Sequence, residues 1–289
     1  VPIGEKVRWA MVYAAASSVP DFGLDIFLYD DDGQDFDKLY GFGNQPVGVP
    51  GIVLSSQILF HMSTYYLSGV LKMLQPGLRS CYLDYRFHLY AMLAKLAHKG
   101  GHGYWAGVFA GYANHYLEDL TQPYHANFIE GYSAGYVLYI HLLSFFRPTA
   151  ELLLKNHLAI QHQLTDDIPS LLIMKNAVDS LTLEKSLSNY YQDSSLPECN
   201  LNTPYLKDVV NINTLKISDN FAKVIKDSFP HDIVLAEHPI NGETLDEIAI
   251  YNQLTPAQKN NYLQAINERF GAFGGYTRKC LNTMMAAEK

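Results

Sequence analysis

The run His115-Tyr116-Leu117-Glu118-Asp119-Leu120-Thr121-Gln122-Pro123-Tyr124-His125 is the densest group of metal-ligating side chains in the chain. On a helix, His115 and Asp119 stand four residues apart, so an imidazole and a carboxylate share one face and can reach a single ion. Pro123 cannot continue that helix, and the kink it forces predicts that His125 folds back toward the same cavity. Histidine and aspartate without thiolate suit zinc or another borderline divalent cation. The same spacing also fits a surface pair with His125 at a helix end, and spacing alone leaves both readings open.

Positioning such groups falls to helices. Residues 7–18 are apolar and Ala-rich and stop before Pro20. Residues 21–50, rich in Asp and Gly, read as an irregular, exposed loop. Residues 52–74 have helical periodicity and end at Gln75-Pro76-Gly77, and residues 82–98 repeat apolar positions at i, i+3 and i+4. Residues 104–121 are apolar enough to predict a central helix. Further helices are expected over 134–146, 149–163, 168–191, 209–229 and 255–287. Thr149, and Asp166 or Asp167, cap the 149–163 and 168–191 helices, while Thr255-Pro256 opens the last. Strand patterns and internal repeats are missing. The expectation is an all-α, multi-helix bundle in a single domain over 1–289, with a catalytic-type core in 1–200 and helices in 201–289 completing the bundle.

Composition narrows the function classes. With 289 residues, 48% hydrophobic and 17% charged, the chain is globular. Its longest apolar run, 134–146, is too short to span a bilayer. A net charge of −8 disfavours nucleic-acid binding through charge alone. Cys81, Cys199 and Cys280 form no CxxC, which excludes a disulfide framework and a thiolate zinc site. No GxSxG, P-loop or GxGxxG occurs. Asp30-Asp31-Asp32-Gly33-Gln34-Asp35 lacks a Glu at the EF-hand spacing and reads as a solvated acidic turn. The first residues lack a charged segment, apolar stretch and cleavage site, so no signal peptide is expected within the chain.

His115 to His125 with Ala126-Asn127-Phe128 resembles the HYxGDxxxPxHxAN signature of the zinc-dependent bacterial phospholipases C, of the alpha-toxin and phosphatidylcholine-preferring type, and more distantly the P1-type nucleases. Residues 85–112 are similar to the helix pair that precedes that signature. Ser17-Ser18-Val19-Pro20-Asp21-Phe22 resembles the family's Pro-Asp-Tyr turn, and Tyr29-Asp30-Asp31-Asp32-Gly33 its acidic loop. The resemblance covers the first half of the chain, and its specific part is 115–127.

The resemblance implies an all-α fold, secretion and a centre of three zinc ions. It implies that His115 and Asp119 are metal ligands, that His125 is the first ligand of a second ion, and that Asp21 both binds metal and serves as general base. Several family positions differ here: Tyr136 and Ile140 stand where a His-x-x-x-Glu is expected, Phe27 where a histidine is, and Glu118 where a glycine is. The family's N-terminal Trp and nearby His have no counterpart. Fewer than three ions are therefore expected, with His61 or His141 able to substitute as ligands. The implied activity is hydrolysis of phospholipid head groups by metal-activated water, with peripheral membrane contact as a further expectation. The alternatives are a noncatalytic relative that binds lipid or protein, and a P1-like nuclease.

Overall fold

A computed structural model describes residues 5–25, 48–49, 52–53 and 57–286. Among them the protein is all-α, apart from a two-residue antiparallel ladder of β1 (Gly48–Val49) and β2 (Ile52–Val53). The helices are α1 (Trp9–Ser17), α2 (Ile58–His61), α3 (Gly69–Leu74), α4 (Leu83–Lys99), α5 (Gly103–Thr121), α6 (Pro123–Ala126), α7 (Ala134–Ser144) and α8 (Thr149–Met174). They continue with α9 (Ser180–Leu187), α10 (Ile212–Ser228), α11 (His231–Val234), α12 (Glu247–Gln253) and α13 (Pro256–Met285). Among the described residues, no helix is long and apolar enough to cross a membrane. The acidic turn 30–35 and the Phe27 position lie outside the described residues.

Packing separates the chain into two compact units. One comprises Val1–Phe128, Leu196–Asn213 and Tyr276–Lys289; the other comprises Ile129–Ser195 and Thr214–Gly275. Each is discontinuous in sequence and includes residues from both sides of position 200.

The first unit is built on α5. Helix α4 buries Leu83, Phe87, Tyr90, Ala91, Ala94 and Ala97, a stripe at helical spacing that packs on α5. In α5 the second half is buried almost all round, from Ala113 to Leu117 and again from Asp119 to Thr121. Helix α1 crosses the first half at Gly107 and Gly111. A Cβ at Gly111 would lie 2.5 Å from the Tyr13 carbonyl oxygen and 2.7 Å from the Ala16 Cβ, so only glycine lets the two backbones meet this closely. Gly107, Gly111, His115 and Asp119 recur every four residues, and the close crossing therefore leads straight to the two ligand-type side chains.

Two expected elements are corrected. Residues 52–74 do not form one helix: β2, α2 and α3 fall within that span, and Met62 leaves α2 in an extended conformation. Ser68 caps α3 by accepting from the Leu71 amide, a local competition that favours a fresh start over continuation. In the second unit, α8 runs unbroken through the expected boundary at Asp166 and Asp167, with Pro169 inside it. Proline removes the amide that would bond the Thr165 carbonyl. The guanidinium of Arg269 supplies that donor, 3.4 Å from the Thr165 carbonyl oxygen and 3.1 Å from the Asp166 carboxylate.

Candidate metal centre

Three chain segments converge in the first unit. After α1, Pro20–Leu24 adopts a π-helical turn closed by the Asp25 amide on the Pro20 carbonyl, 3.1 Å away. This corrects the expected irregular loop at its start, and Asp25 is fully buried rather than exposed. The wide turn places Asp21 and Asp25 one turn apart on one side. The side-chain amide of Gln57 donates to the Asp21 carbonyl at 3.1 Å, which ties this turn to the start of α2. Helix α2 ends at His61, buried, and α5 contributes His115 and Asp119, also buried.

The donor atoms meet at one point. His61 Nδ1 and His115 Nε2 are 2.9 Å apart. Asp21 Oδ1 lies 3.5 Å from the first and 3.4 Å from the second. Zinc held tetrahedrally at about 2.0–2.1 Å from nitrogen and oxygen donors has donor–donor edges of about 3.3 Å, close to the two Asp21 separations and longer than the 2.9 Å between the imidazole nitrogens. Asp119 Oδ2 adds a second carboxylate against the same two nitrogens, at 3.1 Å from His61 and 3.6 Å from His115. Two imidazoles and two carboxylates form a borderline-hard set suited to zinc. Asp21 is the open side of the cluster, its side chain 44% exposed while the other three are nearly closed off.

Each imidazole is held from behind. His115 Nδ1 is 2.8 Å from the Ser17 carbonyl oxygen, which fixes the proton there and leaves Nε2 as the lone-pair nitrogen. His61 presents Nε2 to Asp25 Oδ2 at 3.3 Å, so Nδ1 is left for the cluster. Asp25 is in turn bound by the Tyr116 hydroxyl, which donates at 2.6 Å, and by the Arg86 guanidinium. The His61 and Tyr116 rings stack with centroids 5.7 Å apart. Asp119 Oδ1 faces His125 Nδ1 at 3.2 Å, and that nitrogen also bonds the His61 carbonyl at 2.7 Å.

Charge follows from this packing. Burial would lower the His61 pKa, but the Asp119, Asp25 and Asp21 carboxylates outweigh it and raise it to about 10. His115 rises for the same reason: burial opposes the proton, and Asp119 and Asp21 more than compensate. Asp21 goes the other way, since burial pushes it up and the hydrogen bond from His115, with the charges of His115, His61 and His125, brings it below the usual carboxylate range.

Of the sequence-predicted site residues, Asp21, His115, Asp119 and His61 meet here. His125 reaches the cluster through Asp119, after Gln122 caps α6 and Pro123 takes its first position. His141 does not join them: it lies on α7 in the second unit, with Nδ1 3.3 Å from Glu151. On the same helix, Tyr136 is exposed and Ile140 buried. Sequence reasoning missed Asp25 as a partner of His61; the available signal was its spacing of four from Asp21. Compared with known proteins, the chain matches no family model, no curated protein and no solved structure.

Proposed function

We propose that Asp21, His61, His115 and Asp119 hold a zinc ion and that the protein is a metal-dependent phosphodiester hydrolase acting on phospholipid head groups. The observation that carries the metal reading is the convergence of three donor atoms within 3.5 Å of one another, with the far nitrogen of His115 held by the Ser17 carbonyl and that of His61 facing the Asp25 carboxylate at 3.3 Å. When bound, the ion supplies Lewis-acid activation of water and neutralises charge building on the phosphoryl oxygens. The chain's own groups do the rest. Asp21, anionic at neutral pH and half-exposed, orients the attacking water from the open side. The Ser17 carbonyl fixes the rotation of His115, and the Asp25 carboxylate stands 3.3 Å from His61 Nε2. Phe22 follows Asp21 on the same turn and is 78% exposed, an apolar surface suited to the non-reacting part of a lipid. The signature over 115–127 supports phosphodiester chemistry, and the acidic net charge favours a lipid over a nucleic acid.

Metal analysis of the purified protein tests the first half of this reading. About one equivalent of zinc is expected, lost in both His115→Ala and His61→Ala; metal-free wild-type protein would reject the centre. Release of a phosphorylated head group from phosphatidylcholine, abolished by Asp21→Asn and restored after chelation only by added metal, tests the second half. A zinc-loaded protein that releases no head group would leave a binding scaffold instead.

A further inference from the structure

The α4–α5 hairpin ends in eight consecutive exposed residues, His98 to Trp105. Leu96, Tyr104 and Trp105 stand there 67%, 61% and 53% exposed, with Met92 one turn further down the outer face of α4. This face is separate from the buried stripe of α4, so the helix carries a second apolar surface that its own unit does not cover. Charge singles out the same place. The chain has a net charge of −8, yet no Asp or Glu occurs between Asp84 and Glu118, and Lys95 and Lys99 flank the tip with His98 and His102.

We propose that the α4–α5 tip docks on an anionic lipid bilayer. Trp and Tyr favour the bilayer interface, where an apolar ring meets headgroup and water together. Leu96 and Met92 would enter the acyl boundary, and lysine stems reach up to lipid phosphates with their charge in water. A second copy of this chain fits less well, because pairing two tips would bring Lys95 and Lys99 against their equivalents. Two lysines are also too few to track a nucleic-acid backbone. The inference stands apart from the metal centre, since none of its residues is a donor there.

Vesicle binding tests it. Trp9→Phe leaves Trp105 as the sole tryptophan. Its emission is expected to shift to the blue with vesicles of phosphatidylcholine and phosphatidylserine, and much less with phosphatidylcholine alone. Lys95→Ala with Lys99→Ala should weaken binding by about 25-fold, about fivefold for each lysine, and added salt should do the same. Trp105→Ala with Leu96→Ala should abolish co-sedimentation while circular dichroism, zinc content and hydrolysis of a soluble phosphodiester stay as in the wild type. Unshifted Trp105 emission, or equal sedimentation of wild type and variants, overturns the proposal. A mass that doubles with concentration in light scattering and reverts in Trp105→Ala, without vesicle binding, overturns it in favour of self-association. Vesicle binding that persists in His115→Ala separates this result from the fate of the metal centre.

Discussion

His61 faces carboxylates at both ring nitrogens, and the two sides do different jobs. Asp119 and Asp21 share Nδ1 with His115, while Asp25 waits behind at Nε2, itself bound by Arg86 and Tyr116. A partner of this kind sets tautomer, ring orientation and basicity, so Asp25→Asn is expected to lower zinc affinity by about 10–100-fold, measured by competition with a chromogenic chelator. Unchanged affinity would show that His61 needs no support. Protons compete for the same nitrogens. With the His61 pKa raised to about 10 in the metal-free protein, zinc binding at neutral pH must expel its proton, so affinity should climb with pH and level off near that value. Stability of the metal-free protein should run the opposite way. A raised histidine pKa contributes stability that is whole below about 6.5 and lost as pH rises through about 10. The lowered Asp21 pKa contributes stability above the usual carboxylate range and loses it as pH falls further. Denaturant midpoints of chelator-treated protein across pH check both signs.

At the scale of elements, helix contacts set the positions of these side chains. The approach of α1 to α5 carries the Ser17 carbonyl to His115, and it exists because Gly111 has no Cβ. Gly111→Ala is expected to cost about 1–3 kcal/mol by overpacking and to weaken zinc binding with it. Gly69→Ala, at the open first position of α3 with nothing within 4 Å, should be neutral or slightly stabilising. Thermal melts of the two variants, with zinc titrations, separate crowding from loss of glycine as such. In α8 the relevant element is a helix that ignores its proline. Arg269→Ala removes the guanidinium bonds to the Thr165 carbonyl and the Asp166 carboxylate and should cost about 1–3 kcal/mol. Pro169→Ala restores a backbone amide for that carbonyl, so Arg269→Ala should cost less in a Pro169→Ala background, as a double-mutant cycle would show.

For the whole molecule, a metal bound at the proposed centre would act as a cross-link. Asp21, His61 and His115 come from chain segments separated by 40 and 54 residues, and one ion would fasten the π-turn, α2 and α5 together. Zinc at 100 times its Kd should add about 2.7 kcal/mol to the stability of the folded state. Chelation should therefore lower the melting temperature of the wild type and leave His115→Ala unmoved; equal response of both would place the stabilising metal elsewhere.

What could be read from the sequence alone was whatever depends on near neighbours. Apolar periodicity yields the helical class, Pro123 and Thr255-Pro256 mark real boundaries, and the four-residue spacing of His115 and Asp119 puts both on one face. Tertiary structure decided the rest, because it depends on contacts between residues far apart in the chain. Nothing near His61 announces that its Nδ1 meets a nitrogen 54 residues away, nor near Asp25 that it will be sealed beneath Tyr116, 91 residues on. The boundary expected at Asp166 and Asp167 is overruled, with the Thr165 carbonyl taken up by an arginine 104 residues away. A buried polar group has to be satisfied by whichever partner the packing delivers, and local sequence carries no record of that partner.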